Sequence, residues 1–346
     1  MELALYAPGL GYYSAGAHKL GAAGDFVTAP ELSPLFGRTL ARQVAEWIRH
    51  GLTDILELGA GSGALAAQLL AELEALGASP RSYSILEVSA DLRRRAQELL
   101  AQRVPRRAGI ARWLERLPES FSGLVLGNEV LDALPAHVVA TRAGGIDELG
   151  VAVGAAGVPF AWVPGAPDAE VAAAAATLGL PAGYTTEINL AARALVRTVG
   201  GLLERGVILF IDYGFPAREY YHWQRCQGTL MCHYRHHAHA DPFCLVGLQD
   251  ITAHVDFTAV ARAAEAAGLA VLGYATQAQF LVNCGITDIL SQTPADNVRA
   301  YAPLAAQAQK LLSPSEMGEL FKVIALGKNV AEPLLGFRSG DRSALL

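Results

Sequence analysis

Two short stretches place ionisable groups beside glycines or at the end of an apolar run, and each implies a chemistry. In LELGAGSG (56–63), Glu57 stands two positions before the alternating glycines Gly59, Gly61 and Gly63. In GNEVLDALP (127–135), Asn128, Glu129 and Asp132 interrupt the apolar run that begins SGLVLGN, and Pro135 closes the segment. Glycines between a strand and a helix let backbone approach a ligand closely and aim the helix N-terminus at it. A carboxylate just ahead of them accepts hydrogen bonds from an ammonium group and repels a pyrophosphate. The acidic-x-GxGxG spacing therefore fits S-adenosyl-L-methionine, whose methionine part carries an ammonium group. The dinucleotide pattern GxGxxG/A can be laid on Gly59, Gly61 and Ala64, but it leaves Glu57 facing a like charge.

Glu87, ending the next apolar segment, is placed to take two ribose hydroxyls, a role that serves either cofactor. Trp113 could flank an adenine or belong to the core. Taken alone, LELGAGSG is also a plain tight turn. For GNEVLDALP the plain structural reading is that Asp132 caps a helix starting near Val130 while Glu129 is solvated.

The elements that must position these groups follow from the apolar pattern. Residues 33–51 read as an amphipathic helix, with Ser33 as N-cap, Pro34 at the first position, and Leu40, Val44, Trp47 and Ile48 as its apolar stripe. A strand, the glycine turn and a helix to about Gly77 follow. The plan repeats with a strand at 83–87, Ser89 as N-cap and a helix to about Arg103. Further strands are expected near 109–113, 123–127 and 206–214, then a helix over 257–268 and a final β-hairpin over 269–282. Alternating strands and helices with continuous apolar strands predict a parallel, doubly wound sheet. A closing hairpin is the usual plan of class I methyltransferases. Two segments, 142–200 (with a helix near 187–200) and 214–255, do not fit the alternation and are read as excursions from the ligand-binding edge.

Composition bounds the rest. The chain has 346 residues, 52% hydrophobic and 17% charged, with net charge −6, so it is a compact globular protein without the basic surface that nucleic-acid binding needs. The arginines from Arg93 to Arg107 read as a solvated helix face. Cys226, Cys232, Cys244 and Cys284 make no CxxC pair, which suggests free thiols in a reducing compartment. The uncharged stretch 149–167 is long enough to span a bilayer, but its glycines and prolines suit a β-hairpin, so a soluble protein with no membrane span is expected. No signal peptide is apparent.

Several segments together resemble the MidA family of class I methyltransferases, which includes a mitochondrial complex I assembly factor that methylates an arginine. They are ALYAPGLGYY, GDFVTAPELSPLFG, LELGAGSG, ILEVSADLRRRAQ, GNEVLDALPAH, FIDYG, QGTLMCHYRHHAHADPF, GLQDITAHVDF, FLVNCGI and SPSEMGELFKV. The family's glycine turn reads closer to LGPGRG. Here Ala60 and Ser62 replace the proline and arginine, with the GxGxG spacing intact. Family members begin some residues earlier, so part of an N-terminal helix is expected before Met1.

The resemblance implies an α/β, Rossmann-like fold with a mostly parallel seven-stranded sheet, a closing β-hairpin and a smaller substrate-side region. Residues 1–51 would be a cofactor-covering segment and helix, and 52–346 the methyltransferase domain, with 142–200 and 214–255 forming the substrate side. S-adenosyl-L-methionine would be held by Glu57, Gly59, Gly61, Gly63 and Glu87. Thr28, Pro30, Trp113 and Asn128 would join them, with Asp25 and Glu31 as further candidates in GDFVTAPE. The activity implied is N-methylation of an arginine in a protein, a respiratory-complex subunit being the candidate partner. A homodimer is compatible with it. The missing targeting segment fits a bacterial cytoplasmic protein, and loss of such a segment would fit the mitochondrial matrix.

A guanidinium is a poor nucleophile, because its charge is delocalised and its pKa exceeds about 12. Its site needs carboxylates that grip the N–H fork and hold one nitrogen against the methyl group. Glu129 and Asp132 suit that role, with Asn128 orienting. Glu187, Asp212 and Tyr213 are the further substrate-side candidates. The histidine-rich loop with Cys226, Cys232, His233, His236, His237 and His239 could bind zinc, but no pair has finger spacing, and no metal is expected. A small-molecule acceptor, another protein nitrogen, a non-catalytic assembly factor that binds the same cofactor, and a dehydrogenase are the alternatives.

Overall fold

The computed structural model describes residues 1–15, 27–155, 157, 159–331 and 334–346. Segments with apolar side chains on both faces pair at the centre as β1 (Asp54–Leu58), β2 (Ser82–Leu86), β3 (Ala111–Leu114) and β4 (Phe121–Asn128). The chain then builds β5 (His137–Arg142), β6 (Gly145–Val153), β7 (Phe160–Gly165) and β8 (Thr185–Ile188) before returning to the centre with β9 (Leu203–Phe215). A second departure holds β10 (Met231–Tyr234), β11 (His237–His239), β12 (Asp250–Thr252) and β13 (Val255–Asp256). The last strands are β14 (Ala270–Thr276) and β15 (Phe321–Lys328).

The central sheet runs β14-β15-β9-β4-β1-β2-β3, with β13 added beside β9. Within that path β15 alone is antiparallel to its neighbours. Strands β7-β6-β5-β8 form a separate antiparallel sheet, and β11-β10-β12 another.

Helices α1 (Pro34–Arg49), α2 (Ala64–Ala75), α3 (Ala90–Arg103), α4 (Leu190–Leu202), α5 (Phe257–Ala266) and α6 (Gln277–Asn283) surround the sheet. Ser33 and Ser89 cap α1 and α3 by accepting from the Leu35 and Leu92 N–H groups. On one face, α1 and α2 bury Trp47, Val44, Leu69 and Leu73 against Ile55, Leu124 and Leu209. On the other, α4 and α5 bury Val196, Val199 and Val260 against Leu56, Val125 and Ile208. Covering both faces explains why these strands read as unbroken apolar runs.

One expectation is corrected. Residues 269–282 are not a hairpin: β14 ends at Thr276, whose side chain accepts from the Gln279 N–H and starts α6. TQAQ has the spacing of a capping box, Thr followed three residues later by Gln, and a cap favours helix over a tight turn. The antiparallel partner of β14 is FKVIALGK, far along the chain, with Thr276 opposite Lys322. The closing pair exists, but α6 and further helices separate its strands.

At the entry of the central strands the backbones crowd. Gly206 and Gly123 are register partners with φ of 153° and 149°, values that side chains disfavour, and a Cβ on Gly206 would overlap the Gly123 carbonyl. Gly206→Ala is therefore expected to cost about 3 kcal/mol or more, measured by urea denaturation of the two proteins.

Candidate functional site

The glycine turn joins β1 to α2, and Gly59, Gly61 and Gly63 all have positive φ, at 61°, 56° and 81°. Its geometry is tied to the neighbouring strand. The Gly59 N–H donates to the Leu86 carbonyl at 2.9 Å, and the Gly61 N–H donates to Glu87 Oε2 at 3.0 Å. Glu87 also accepts from the Ser89 N–H at 2.8 Å, so its carboxylate is oriented by backbone on both sides. Glu57 is buried in the wall of β1 and accepts from the Tyr83 hydroxyl at 2.9 Å. Burial, reinforced by the Glu87 charge and opposed by that hydroxyl, pushes the Glu57 carboxyl up to about 7.

At the end of β4 the chain turns sharply. Glu129 adopts φ 53°, left-handed for a non-glycine residue, while its N–H still donates to the Ile211 carbonyl at 2.9 Å. The turn closes around Asp212 on the adjacent β9. One carboxylate oxygen, Oδ2, accepts from the Val130, Leu131 and Asp132 N–H groups at 3.2, 2.9 and 3.3 Å. The other accepts from the Tyr213 N–H at 3.0 Å. Asn189 braces the same turn, its amide donating to the Leu131 and Leu134 carbonyls at 3.2 and 3.1 Å. No helix begins near Val130, so Asp132 is not a helix cap.

Asp132 is buried and accepts from the Tyr213 hydroxyl, and desolvation pushes its carboxyl up to about 6. Burial, then the Asp132 charge, pushes the Glu129 carboxyl up to about 8, against hydrogen bonds from the Asn128 amide and the Ala29 N–H. Asp212 is likewise pushed well above the carboxylate range by burial and by Asp132 and Glu129, against its backbone donors. Two buried acceptor atoms, Asn128 Oδ1 and Asp132 Oδ1, have no partner.

These groups share one cavity of about 470 Å³. The glycine turn with Glu57 and Glu87 forms part of its wall, and Asn128, Glu129 and Asp132 form another part. Thr28 and Pro30 also line it, and the Pro30 carbonyl is anchored by the Gln68 amide at 2.7 Å. Glu31 lies outside this lining and accepts from the Ser62 hydroxyl. Asp25 is outside the described residues. Among the described lining residues there are four carboxyl groups and no Lys, Arg or His. A glycine cradle, an acid facing it, and orphaned acceptors fit a ligand that brings positive charge and N–H donors.

Other candidates sit elsewhere. Trp113, on β3 beside Ile85, is outside the cavity lining and packs on the core, with the Arg93 guanidinium 5.8 Å from its ring centroid. Asp212 and Tyr213 stand behind the lining and act on it through Asp132 and the backbone. Glu187 pins the 220–230 loop to β8. It accepts from the Thr229 and Leu230 N–H groups, the Thr229 hydroxyl and the Tyr220 hydroxyl at 2.9–3.2 Å. Cys232 is buried in β10, and among the described residues no group of three or more His, Cys, Asp or Glu side chains could hold a metal ion. Tyr6, Tyr13 and Asn189 carried no role in the sequence analysis. The tyrosines had a signal in ALYAPGLGYY, whereas Asn189 shows its role only through contacts about 55 residues away along the chain.

A family model described as "Putative S-adenosyl-L-methionine-dependent methyltransferase" matches residues 39–275. Protein arginine methyltransferase NDUFAF7, mitochondrial, of Mus musculus is 30% identical over 94% of this chain and 79% of its own length. The Drosophila melanogaster homolog is 28% identical over 97% and 84%. Among solved structures, a Burkholderia thailandensis protein bound to S-adenosyl-homocysteine is 52% identical, with TM-score 0.96 over 100% of this chain and 90% of that one. A native Burkholderia thailandensis structure gives 51% and 0.93.

The raised carboxyls fix the sign of a pH effect. Burial and the Asp132 charge push the Glu129 carboxyl up to about 8 from an ordinary 4.5, so the folded state holds this proton more tightly than the unfolded chain. The resulting stability is complete below 4.5 and is lost as pH rises through 8. Glu129→Gln removes that loss, so the ligand-free variant is expected to melt roughly 2–4 °C above the parent at pH 8.5 and level with it at pH 5, by differential scanning calorimetry.

Proposed function

The chain belongs to this family of S-adenosyl-L-methionine-dependent methyltransferases, and we propose that it methylates a nitrogen of an arginine side chain in a protein substrate. The carrying observation is the cluster of buried carboxyls, Glu129 and Asp132 backed by Asp212, in a cavity with no cationic side chain among its described lining residues. Like charges this close favour protonated forms until a cation enters, and a guanidinium is a cation with N–H donors on a planar fork. The names of the 28–30% identical relatives support the same acceptor.

The bound cofactor supplies an electrophilic methyl group on a positively charged sulfur. Glu57 and the turn at Gly59, Gly61 and Gly63 hold its amino-acid end, and Glu87 holds its ribose. On the acceptor side, Asp132 Oδ1 and Asn128 Oδ1 take the N–H groups that point away from the reacting nitrogen. Holding the fork there localises positive charge on those nitrogens and leaves an electron pair on the third. That pair would form the new N–C bond as the sulfur–methyl bond breaks and its electrons return to sulfur, and Glu129 would take the proton that the nitrogen sheds. The left-handed turn at Glu129 aims the carboxylate, and Asp212 keeps the turn closed.

Thr28 and Pro30 close over the cofactor in this reading. The two outlying sheets, β5–β8 and β10–β12, form the substrate-side region. The acceptor is a protein, with a respiratory-complex subunit as the first candidate from the family resemblance. Among the described residues no helix is long and apolar enough to cross a membrane.

Incubation with labelled cofactor and candidate protein substrates, read by fragmentation mass spectrometry, tests the acceptor. Label found only on lysine, on carboxylates or on small molecules would exclude arginine. Glu129→Gln and Asp132→Asn are each expected to lower transfer by about 100-fold or more while S-adenosyl-homocysteine affinity, by calorimetric titration, stays within about 3-fold. Gly61→Val is expected to lose cofactor binding altogether, because valine is strained at φ 56° and adds bulk where backbone meets ligand.

A further inference from the structure

We infer that Tyr6 and Tyr13 form an aromatic wall of the acceptor site that selects a planar, delocalised cation over a compact ammonium. The inference rests on the acceptor reading above and adds the residues that set its specificity. Both tyrosines line the cavity, with ring centroids 5.5 Å apart and planes 22° from parallel. Their hydroxyls are already engaged. Tyr6 donates to the Ala133 carbonyl at 2.9 Å, and Tyr13 donates to Asp250 Oδ1 on β12 at 3.0 Å. With the hydroxyls tied, and with Tyr12 in a T-shaped contact with Tyr13 at 5.1 Å, what the stacked pair offers a ligand is the ring surface left facing the cavity.

Those tethers also place the wall. Ala133 follows Asp132 directly and lines the same cavity, so Tyr6 is held beside the acceptor carboxylates. The electrostatic environment agrees: after burial, the groups that raise the two hydroxyls include Asp132 and Asp250 for each. The segment is preorganised. The Tyr12 and Tyr13 N–H groups donate back to the Ala4 and Leu5 carbonyls at 2.8 Å. Leu5 and Tyr12 bury themselves with Cys232 and Ile251, which fastens the segment to β10 and β12. The rings therefore do not have to be ordered when the acceptor arrives.

Carboxylates attract any cation, so Glu129 and Asp132 alone do not distinguish arginine from lysine. An aromatic face does. Guanidinium is weakly hydrated and stacks flat on a ring, while an ammonium is a strongly hydrated point charge that gives up more water to enter.

The test uses the full chain saturated with S-adenosyl-homocysteine and two probes, methylguanidinium and methylammonium, titrated by calorimetry. The parent protein is expected to bind methylguanidinium about 10-fold more tightly than methylammonium. Tyr6→Leu combined with Tyr13→Leu is expected to shrink that preference to about 2-fold or less, and Tyr6→Phe combined with Tyr13→Phe to keep it. Equal binding of the two cations by the parent, which needs no variant to fold, overturns the inference. So does an undiminished preference in the leucine variant that still binds S-adenosyl-homocysteine. Failure of the arginine assignment reads differently: the parent would keep its methylguanidinium preference while label appears on another residue type in the substrate assay.

Discussion

The carboxylate of Asp212 is the interaction on which the acceptor side of this molecule depends. Three successive N–H groups, from Val130 to Asp132, converge on one of its oxygens. Such an arrangement replaces the first turn of a helix with a ring closed by a side chain from the neighbouring strand. It lets β4 stop abruptly, lets Glu129 take a left-handed backbone, and points Glu129 and Asp132 into the same cavity. An asparagine there could offer one oxygen to the three donors, but its NH2 would face the Tyr213 N–H that Oδ1 now accepts. An aliphatic residue would leave three buried N–H groups unsatisfied, each costing about 1–3 kcal/mol.

That solution carries a cost, and the cost is functional. Burial pushes the carboxyls of Asp212, Asp132 and Glu129 all up, and the Asp132 charge adds to the shifts of Glu129 and Asp212. Glu57 adds a fourth raised carboxyl on the cofactor side of the cavity. A fold selected for stability alone would place a lysine or arginine among them. The described lining has none, and in the proposed reading the compensating charge comes from what binds. Proteins keep such local instability where a ligand repays it.

Much of this architecture was legible in the sequence. Strands β1 to β4 and β9, the caps Ser33 and Ser89 and the glycine turn read directly, because apolar runs and capping residues are local signals. The residues that NEVLDALP singled out, Asn128, Glu129 and Asp132, line one cavity with the glycine turn. The closing pair was misplaced because Thr276 and Gln279 encode a helix start that an alternating apolar count overlooks. Trp113 was read as either flanking an adenine or belonging to the core, and it lies outside the cavity lining, packed on the core. The resemblance put Glu187 on the substrate side; in the structure its partners, Thr229, Leu230 and Tyr220, are remote in sequence, and they occupy its hydrogen-bonding capacity. Asp212 falls within the expected 206–214 strand and within β9, whereas its work on the 130–132 backbone depends on a neighbouring strand and cannot be read from its own segment.

The sheet order explains why so little else is needed to align donor and acceptor. The chain runs outward from β1 through β2 to β3, then crosses back to place β4 on the other side of β1. A crevice opens above the strand ends where the direction reverses, between β1 and β4. Glu57 is on β1, Glu87 directly follows β2, and the Asn128–Asp132 turn follows β4, so the residues assigned to donor and acceptor ride on consecutive strands. Strand spacing, about 4.8 Å, then sets the separation of these groups more rigidly than any loop could. An in-line displacement asks chiefly for alignment and for a place to put a proton. A parallel sheet supplies the first, and in the proposed reading the Glu129 carboxyl, raised chiefly by burial, supplies the second.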